Sequence, residues 1–276
     1  MKLLVKKFAL FSCLAASILI SSCSNTDDSG DVAVDYSAEN STRAAQADNV
    51  IENTLNIMEN GYVEAEEGRS IANSFFPACT VITIIPNGEG GTIILDFGTG
   101  CTLNNGSVVT GKINLEYGGI VSGTRTITYT FEEFTYNGHG VTGGGEIVRE
   151  IENANGFPAS TVNETITVHF SNTEITATRV GLRMAEWIEG VGSGTWEDNV
   201  YRITGNWETT FSNGFSRSGE VTEPLIRKLS CVYLVSGTLD ITQQSITGTL
   251  DFGDGTCDNV ATFIFNGQEY TIILGL

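Results

Sequence analysis

Basic residues are scarce in this chain. Lysine and arginine number 14 against 33 aspartates and glutamates, a formal net charge of −19. So acidic a chain repels a phosphate backbone, which excludes nucleic acid as a partner. Proline is scarcer still, four residues against 32 glycines. Histidine occurs twice, at His139 and His169, and no C-x-x-C pair is present. That leaves little material for a zinc site. No G-x-S-x-G elbow occurs either; the nearest match, Gly214 to Gly219, lacks the final glycine. No apolar run approaches the roughly 20 residues needed to span a bilayer as a helix.

The first 23 residues carry the sharpest signal. Lys2, Lys6 and Lys7 precede an apolar run of 13 residues from Phe8 to Ile20, then Ser21-Ser22-Cys23. Charge, short apolar run and small residues read as a secretory signal. The cysteine marks a bacterial lipoprotein precursor, lipidated at Cys23 after removal of 1–22. A diacylglycerol together with an acylated amine anchors stably, where one chain binds only marginally. Ser24 follows Cys23 in place of the aspartate that retains lipoproteins in the inner membrane. The expectation is therefore an outer-membrane, lipid-anchored protein facing the cell surface, the periplasmic face being the alternative. Residues 23–41 are acidic and aperiodic, and read as a disordered tether. Asp27 and Asp28 are where an acidic export signal would sit. Removing 1–22 takes three lysines and no acids, leaving 11 basic residues against 33 acidic ones.

Four cysteines remain: Cys79, Cys101, Cys231 and Cys257. An even number in an exported chain reads as disulfides. An internal repeat selects the pairing. Residues 95–101 read LDFGTGC and residues 250–257 read LDFGDGTC, each preceded by a cysteine that opens an apolar strand. The repeat predicts Cys79–Cys101 and Cys231–Cys257, within related units at about 79–117 and 231–274.

Ile51, Leu55 and Met58 recur at i, i+4, i+7 and predict one short helix at about 43–60, within a helical segment 42–74, with Asn60-Gly61 as its stop. From Phe75 the period is two. In 124–131 the threonines share one face; Arg125, Ile127, Tyr129 and Phe131 share the other. In 164–170, Ile166, Val168 and Phe170 point inward. Such alternation marks antiparallel sheets with one buried face. Asn-Gly recurs at 87, 105, 137, 155, 213 and 266, suiting hairpin turns. The fold expected is all-β: a single antiparallel, hairpin-rich domain over 75–276. It would form an elongated sandwich or twisted stacked sheet of about 12–15 strands. A lipid-facing barrel needs apolar outward bands, and the second face here is threonine, asparagine and charge.

Chemistry is thinly signalled. Asp251, Asp254 and Asp258 invite calcium, but glycines occupy the third and fifth positions where an EF-hand places oxygens. Asp96 and Asp251 read instead as caps of backbone N–H groups. Glu132 with Glu133, and Glu186 with Glu189, are spaced to point to opposite faces of a regular strand, and read as surface charge. Trp187, Trp196 and Trp207 fall within 21 residues and form a candidate ligand platform, against a core role. No catalytic residue, metal or cofactor is assigned.

Several segments carry a resemblance. They are C-x-V-x-T at 79–83, LDFGTGC, G-K-I at 111–113, R-T-I-T at 125–128 and Y-x-I-T-G at 201–205. K-x-S-C-x-x-x-V-S-G at 228–237, DFGDGTCDN and NGQEYTI at 266–272 complete the set. Together they resemble a group of uncharacterised lipoproteins of the Bacteroidota. The resemblance implies envelope location and no assigned chemistry. The expected function is a non-catalytic surface binding or structural module, with a glycan or envelope protein as partner. The alternative is a surface glycan-binding protein or polymer hydrolase.

Overall fold

The computed structural model describes residues 38–68, 74–243 and 246–274. The leader, Cys23, Asp27, Asp28 and the tether as far as residue 37 lie outside these residues. One helix, α1 (Ala38–Glu67), precedes the strands. The first group is β1 (Val81–Asn87), β2 (Gly90–Asp96), β3 (Cys101–Thr102), β4 (Val108–Tyr117), β5 (Thr124–Tyr136), β6 (His139–Glu150) and β7 (Ala159–His169). The second is β8 (Thr176–Glu189), β9 (Val200–Phe211), β10 (Ser216–Lys228), β11 (Ser236–Gln243), β12 (Ile246–Asp254), β13 (Val260–Phe265) and β14 (Gln268–Ile273). They form one sheet in chain order, with only the short β3 off the main path beside β4. Every pairing is antiparallel, as the period-two reading requires.

The layer opposite the sheet is the helix, not a second sheet. From Thr54 to Glu64 every α1 residue is buried. Side chains of β5, β6, β8, β10 and β11 all bond to α1, so the sheet curls around it. Ile51, Leu55 and Met58 join Leu95, Ile113, Leu115, Ile127 and Ile166 in one core cluster. Val63 belongs to a second, with Trp187, Tyr201, Leu225, Leu239 and Phe252.

The helix is longer than the sequence predicts. It begins inside the expected tether, because Asn40 accepts a bond from Asn213 and Ser41 accepts one from Gln243. Asn60-Gly61 does not stop it. Gly61 is a close-approach residue: a Cβ there would lie 2.5 Å from Leu95 Cδ1. The turn that follows is at Gly68, whose φ of +59° favours glycine.

Two of the six Asn-Gly pairs make two-residue hairpins with both φ positive, at 137–138 between β5 and β6 and at 266–267 between β13 and β14. In the other four only the glycine takes positive φ. The face reading of β5 holds for Ile127 and Tyr129, then reverses. Glu133, with φ +49°, forms a bulge, so Phe134 and Tyr136 point inward from even positions.

The two repeats make the same local structure. Asp96 accepts the Gly98 N–H and Asp251 accepts the Gly253 N–H, each at 2.9 Å. Phe97 and Phe252 are both buried. Cys79 pairs with Cys101 and Cys231 with Cys257, at Cα separations of 5.5 and 5.8 Å.

Gly61→Ala tests the close approach. Helix propensity favours alanine by up to about 1 kcal/mol, while overpacking costs about 1–3 kcal/mol. The expected outcome is a lower urea midpoint. In a Leu95→Ala background the same substitution should cost less; strict additivity would show that Leu95 is not the obstacle.

Candidate functional site

An ionic seam runs where the helix's polar face meets the sheet. Asp48, Glu52, Asn56, Glu59 and Glu66 lie at successive spacings of four, four, three and seven, one side of α1. Arg217 reaches Asp48 at 3.2 Å. Arg179 meets Glu52 at 2.6 Å and Glu164 at 2.8 Å. Arg183 takes Glu52 at 3.2 Å and Asn56 at 3.0 Å. Arg149 bridges Glu59 and Glu66, both at 3.3 Å, while Ser160 donates to Glu59. Arg125 donates to Tyr62. Among the described residues, five basic residues of the sheet thus bond to one helix. All five are arginine, whose flat, weakly hydrated fork suits buried pairing better than an ammonium.

Burial and pairing compete along the seam. At Asp48 and Glu164 burial wins over the arginines and raises the pKa. At Glu52 burial pushes upward, but Arg179 and Arg183 together reverse it, and the pKa is lowered. Arg227 is pushed down to about 10 by burial and the nearby Arg183 charge. Arg149, Arg179 and Arg183 are buried in the seam, Asp48 and Glu52 are half-buried, and Glu66 lies at its open end; together these pairs tie the helix to the sheet.

The tryptophans do not form a platform. Trp187 is buried and stacks on Tyr201 at 6.1 Å; Trp196 packs edge-on against Phe75 at 5.5 Å. Trp207 lies under the Arg179 guanidinium at 4.6 Å. Its ring fits because its cross-strand neighbours are Gly181 and Gly219; a Cβ on Gly219 would come within 2.4 Å of the indole. At these positions the sheet's outer side presents only backbone, since the side-chain direction is inward. There a shallow groove of about 650 Å³ crosses β7 to β12, with Trp207, Gly181 and Gly219 among its lining. One cross-strand row reads Asn163, Leu182, Asn206, Glu220, Asp240. The next reads Val180, Glu208, Ser218, Thr242, Thr247. Glu220 and Asp240 are directly opposed, which costs stability. No ion pair among the described residues offsets it. Nothing in the sequence marked this groove, because its residues come from six strands and carry no shared spacing.

The other predicted residues are scattered. His169 stands opposite Gly140, one residue from His139, but the two rings are on opposite faces: His169 bonds Thr142, while His139 accepts the Ser171 N–H and packs on Phe170. Asp251, Asp254 and Asp258 line a second shallow concavity, yet each accepts a backbone N–H two residues on. Among the described residues no three or more metal-ligating side chains converge. Glu132 and Glu133 are both exposed, Glu133 in its bulge. Glu186 departs from the surface reading: it is buried, bound by Asn153, Asn155 and Arg202 at 2.6–2.8 Å, and ties the β6–β7 connection to β8. Glu189 is exposed, and a bulge between it and Trp187 breaks the regular strand.

No protein-family model matches the chain, and no curated protein or solved structure is detectably similar to it.

Removing Arg179 should leave the buried Glu164 unpaired, a loss of about 3–5 kcal/mol for Arg179→Met in urea unfolding. Adding Glu164→Leu should restore part of it by removing the stranded charge. Burial pushes the Glu186 pKa upward, but bonds from Asn155, Asn153 and Arg202 outweigh it and hold it low. Its contribution is therefore present at pH 7 and lost as pH falls through the low folded value. The stability gap between wild type and Glu186→Gln should narrow below pH about 4. At Asp48 the sign reverses: wild type should improve relative to Asp48→Asn as pH falls.

Proposed function

We propose that this chain is a lipid-anchored binding module of the cell envelope, held in the outer membrane through Cys23 and displayed at the cell surface. It works by contact rather than catalysis. The leader supports the anchor. The pairing of all four cysteines beyond Cys23 supports an oxidising compartment outside the cytoplasm. The observation that carries the binding role is the outer groove over β7–β12. Val180 and Leu182 give it an apolar strip, and Asn163, Asn206, Glu220 and Asp240 give it hydrogen-bonding groups in register. Apolar surface with a few fixed polar groups is what a ligand site uses. A neutral, hydroxyl-rich polymer such as a glycan fits that chemistry, and an acidic rim disfavours anionic ligands.

A second reading is hydrolysis of such a polymer. Glu220 and Asp240 favour it, since directly opposed strand positions lie about 5 Å apart, near the separation of a retaining carboxylate pair. Cys23→Ala should abolish palmitate labelling and release the protein from the membrane fraction. Unchanged labelling would remove the anchor from this account. A glycan array on the mature chain, with Leu182→Arg as control, tests the groove. Binding lost in the variant supports it; equal binding places the ligand elsewhere. Cleavage of a bound glycan, lost in Glu220→Gln, would establish the hydrolase instead.

A further inference from the structure

The sheet does not close, so β1 and β14 each have one strand neighbour among the described residues. The two edges differ. β1 carries Pro86, which cannot donate to a further strand. β14 has no proline, lysine, arginine or bulge, the usual devices that blunt an edge. All six of its residues are exposed; Tyr270 is 50%, Ile272 36% and Ile273 43% accessible.

These side chains extend the core layer. Leu250 pairs with Phe263 and Phe263 with Tyr270; buried Ala261 pairs with Ile272. The inward apolar face thus continues to the last strand and ends there uncovered. The segment 260–273 also holds a single charge, Glu269, in a chain with 33 acids. It is a stretch where two such acidic molecules can meet with little repulsion.

We infer that β14 is a self-association edge, pairing antiparallel with β14 of a second copy about a two-fold axis at Thr271. That register sets Tyr270 opposite Ile272 of the second copy on the inner face, an aromatic and β-branched pair. It sets Thr271 opposite Thr271, and Glu269 opposite Ile273, so no like charges face each other. The arrangement is closed. Joining β14 to β1 fits less well. The main path has thirteen strands, all antiparallel to their neighbours, so β1 and β14 run the same way. Like-oriented copies would then pair in parallel, which is weaker per residue, and would propagate without closing.

Site-directed cross-linking of the full-length protein tests this. Opposed residues in an antiparallel pair lie about 4.5–5.5 Å apart at Cα, within disulfide reach. Thr271→Cys should give a covalent dimer on a non-reducing gel after mild oxidation. Gln268→Cys, off the axis by three residues, should give at least tenfold less. Adding Ile272→Lys to Thr271→Cys should abolish the dimer; intact Cys79–Cys101 and Cys231–Cys257 bridges would confirm that the variant is folded. Monomer from Thr271→Cys, or equal yields from both cysteines, overturns the proposal. So does a dimer that forms only when Thr271→Cys is mixed with Thr83→Cys, since that marks the open β14-to-β1 arrangement. Exclusive capture of an unrelated protein overturns it as well.

Discussion

The pairing of sheet arginines with helix carboxylates is the constraint on which this fold rests. A single curled sheet has an inner face that something must cover, and here the cover is one helix. A helix enclosed over three turns would ordinarily be apolar all round. This one is not, since Asn56, Glu59, Asn60 and Glu64 are buried with it. Arg149 meets Glu59 and Arg183 meets Asn56, Ser74 and the Phe75 N–H meet Glu64, and Asn60 donates to the Asn56 carbonyl. Arg179 and Arg217 continue the pairing to Glu52 and Asp48. Ion pairs of this kind add little net stability over an apolar core, but a helix rotated or shifted by a turn would leave buried charges alone. The seam therefore acts on register, by penalising every other seating.

That choice shapes the exterior too. With Arg125, Arg149, Arg179, Arg183, Arg217 and Arg227 all on the helix side of the sheet, few of the described cations remain for the outer face. Against that background stand exposed apolar side chains, among them Val180, Leu182 and Met184 of β8 and, at the two sheet edges, Val81, Ile84 and Ile85 of β1 and Tyr270, Ile272 and Ile273 of β14. Apolar patches on an otherwise charged surface mark contact sites. The glycines beside Trp207 act on the inner side of the sheet: they admit the indole, because any side chain there would project onto it.

The repeated units sit near the two ends of the strand order, each with its own disulfide and its own aspartate-capped glycine turn. Their equivalence ends at the edge strands. Pro86 guards the first unit's edge, and nothing comparable guards the second's.

Local chemistry was legible from the chain. The alternation of Ile166, Val168 and Phe170 announced a one-sided strand, and duplicated Asp-Phe-Gly turns announced the cysteine pairing. The misreadings share one cause. Gly61 looked like a helix stop because its true partner, Leu95, lies 34 positions away. Glu186 looked like surface charge because Asn153, Asn155 and Arg202 converge on it only after β6 to β9 assemble. Trp207 could not be oriented without knowing that Gly181 and Gly219 flank it. The bulge at Glu133 reversed a face that alternation alone assigned.

By itself the amino-acid order determined the strand class, the hairpins and the covalent pairs, because those depend on neighbours a few residues apart or on a repeat visible in one dimension. Where the helix lies, what its charges meet, and which outer side chains share a groove were decided by the curled sheet. Those are contacts between strands distant along the chain, and no local period encodes the distance at which a guanidinium finds its carboxylate.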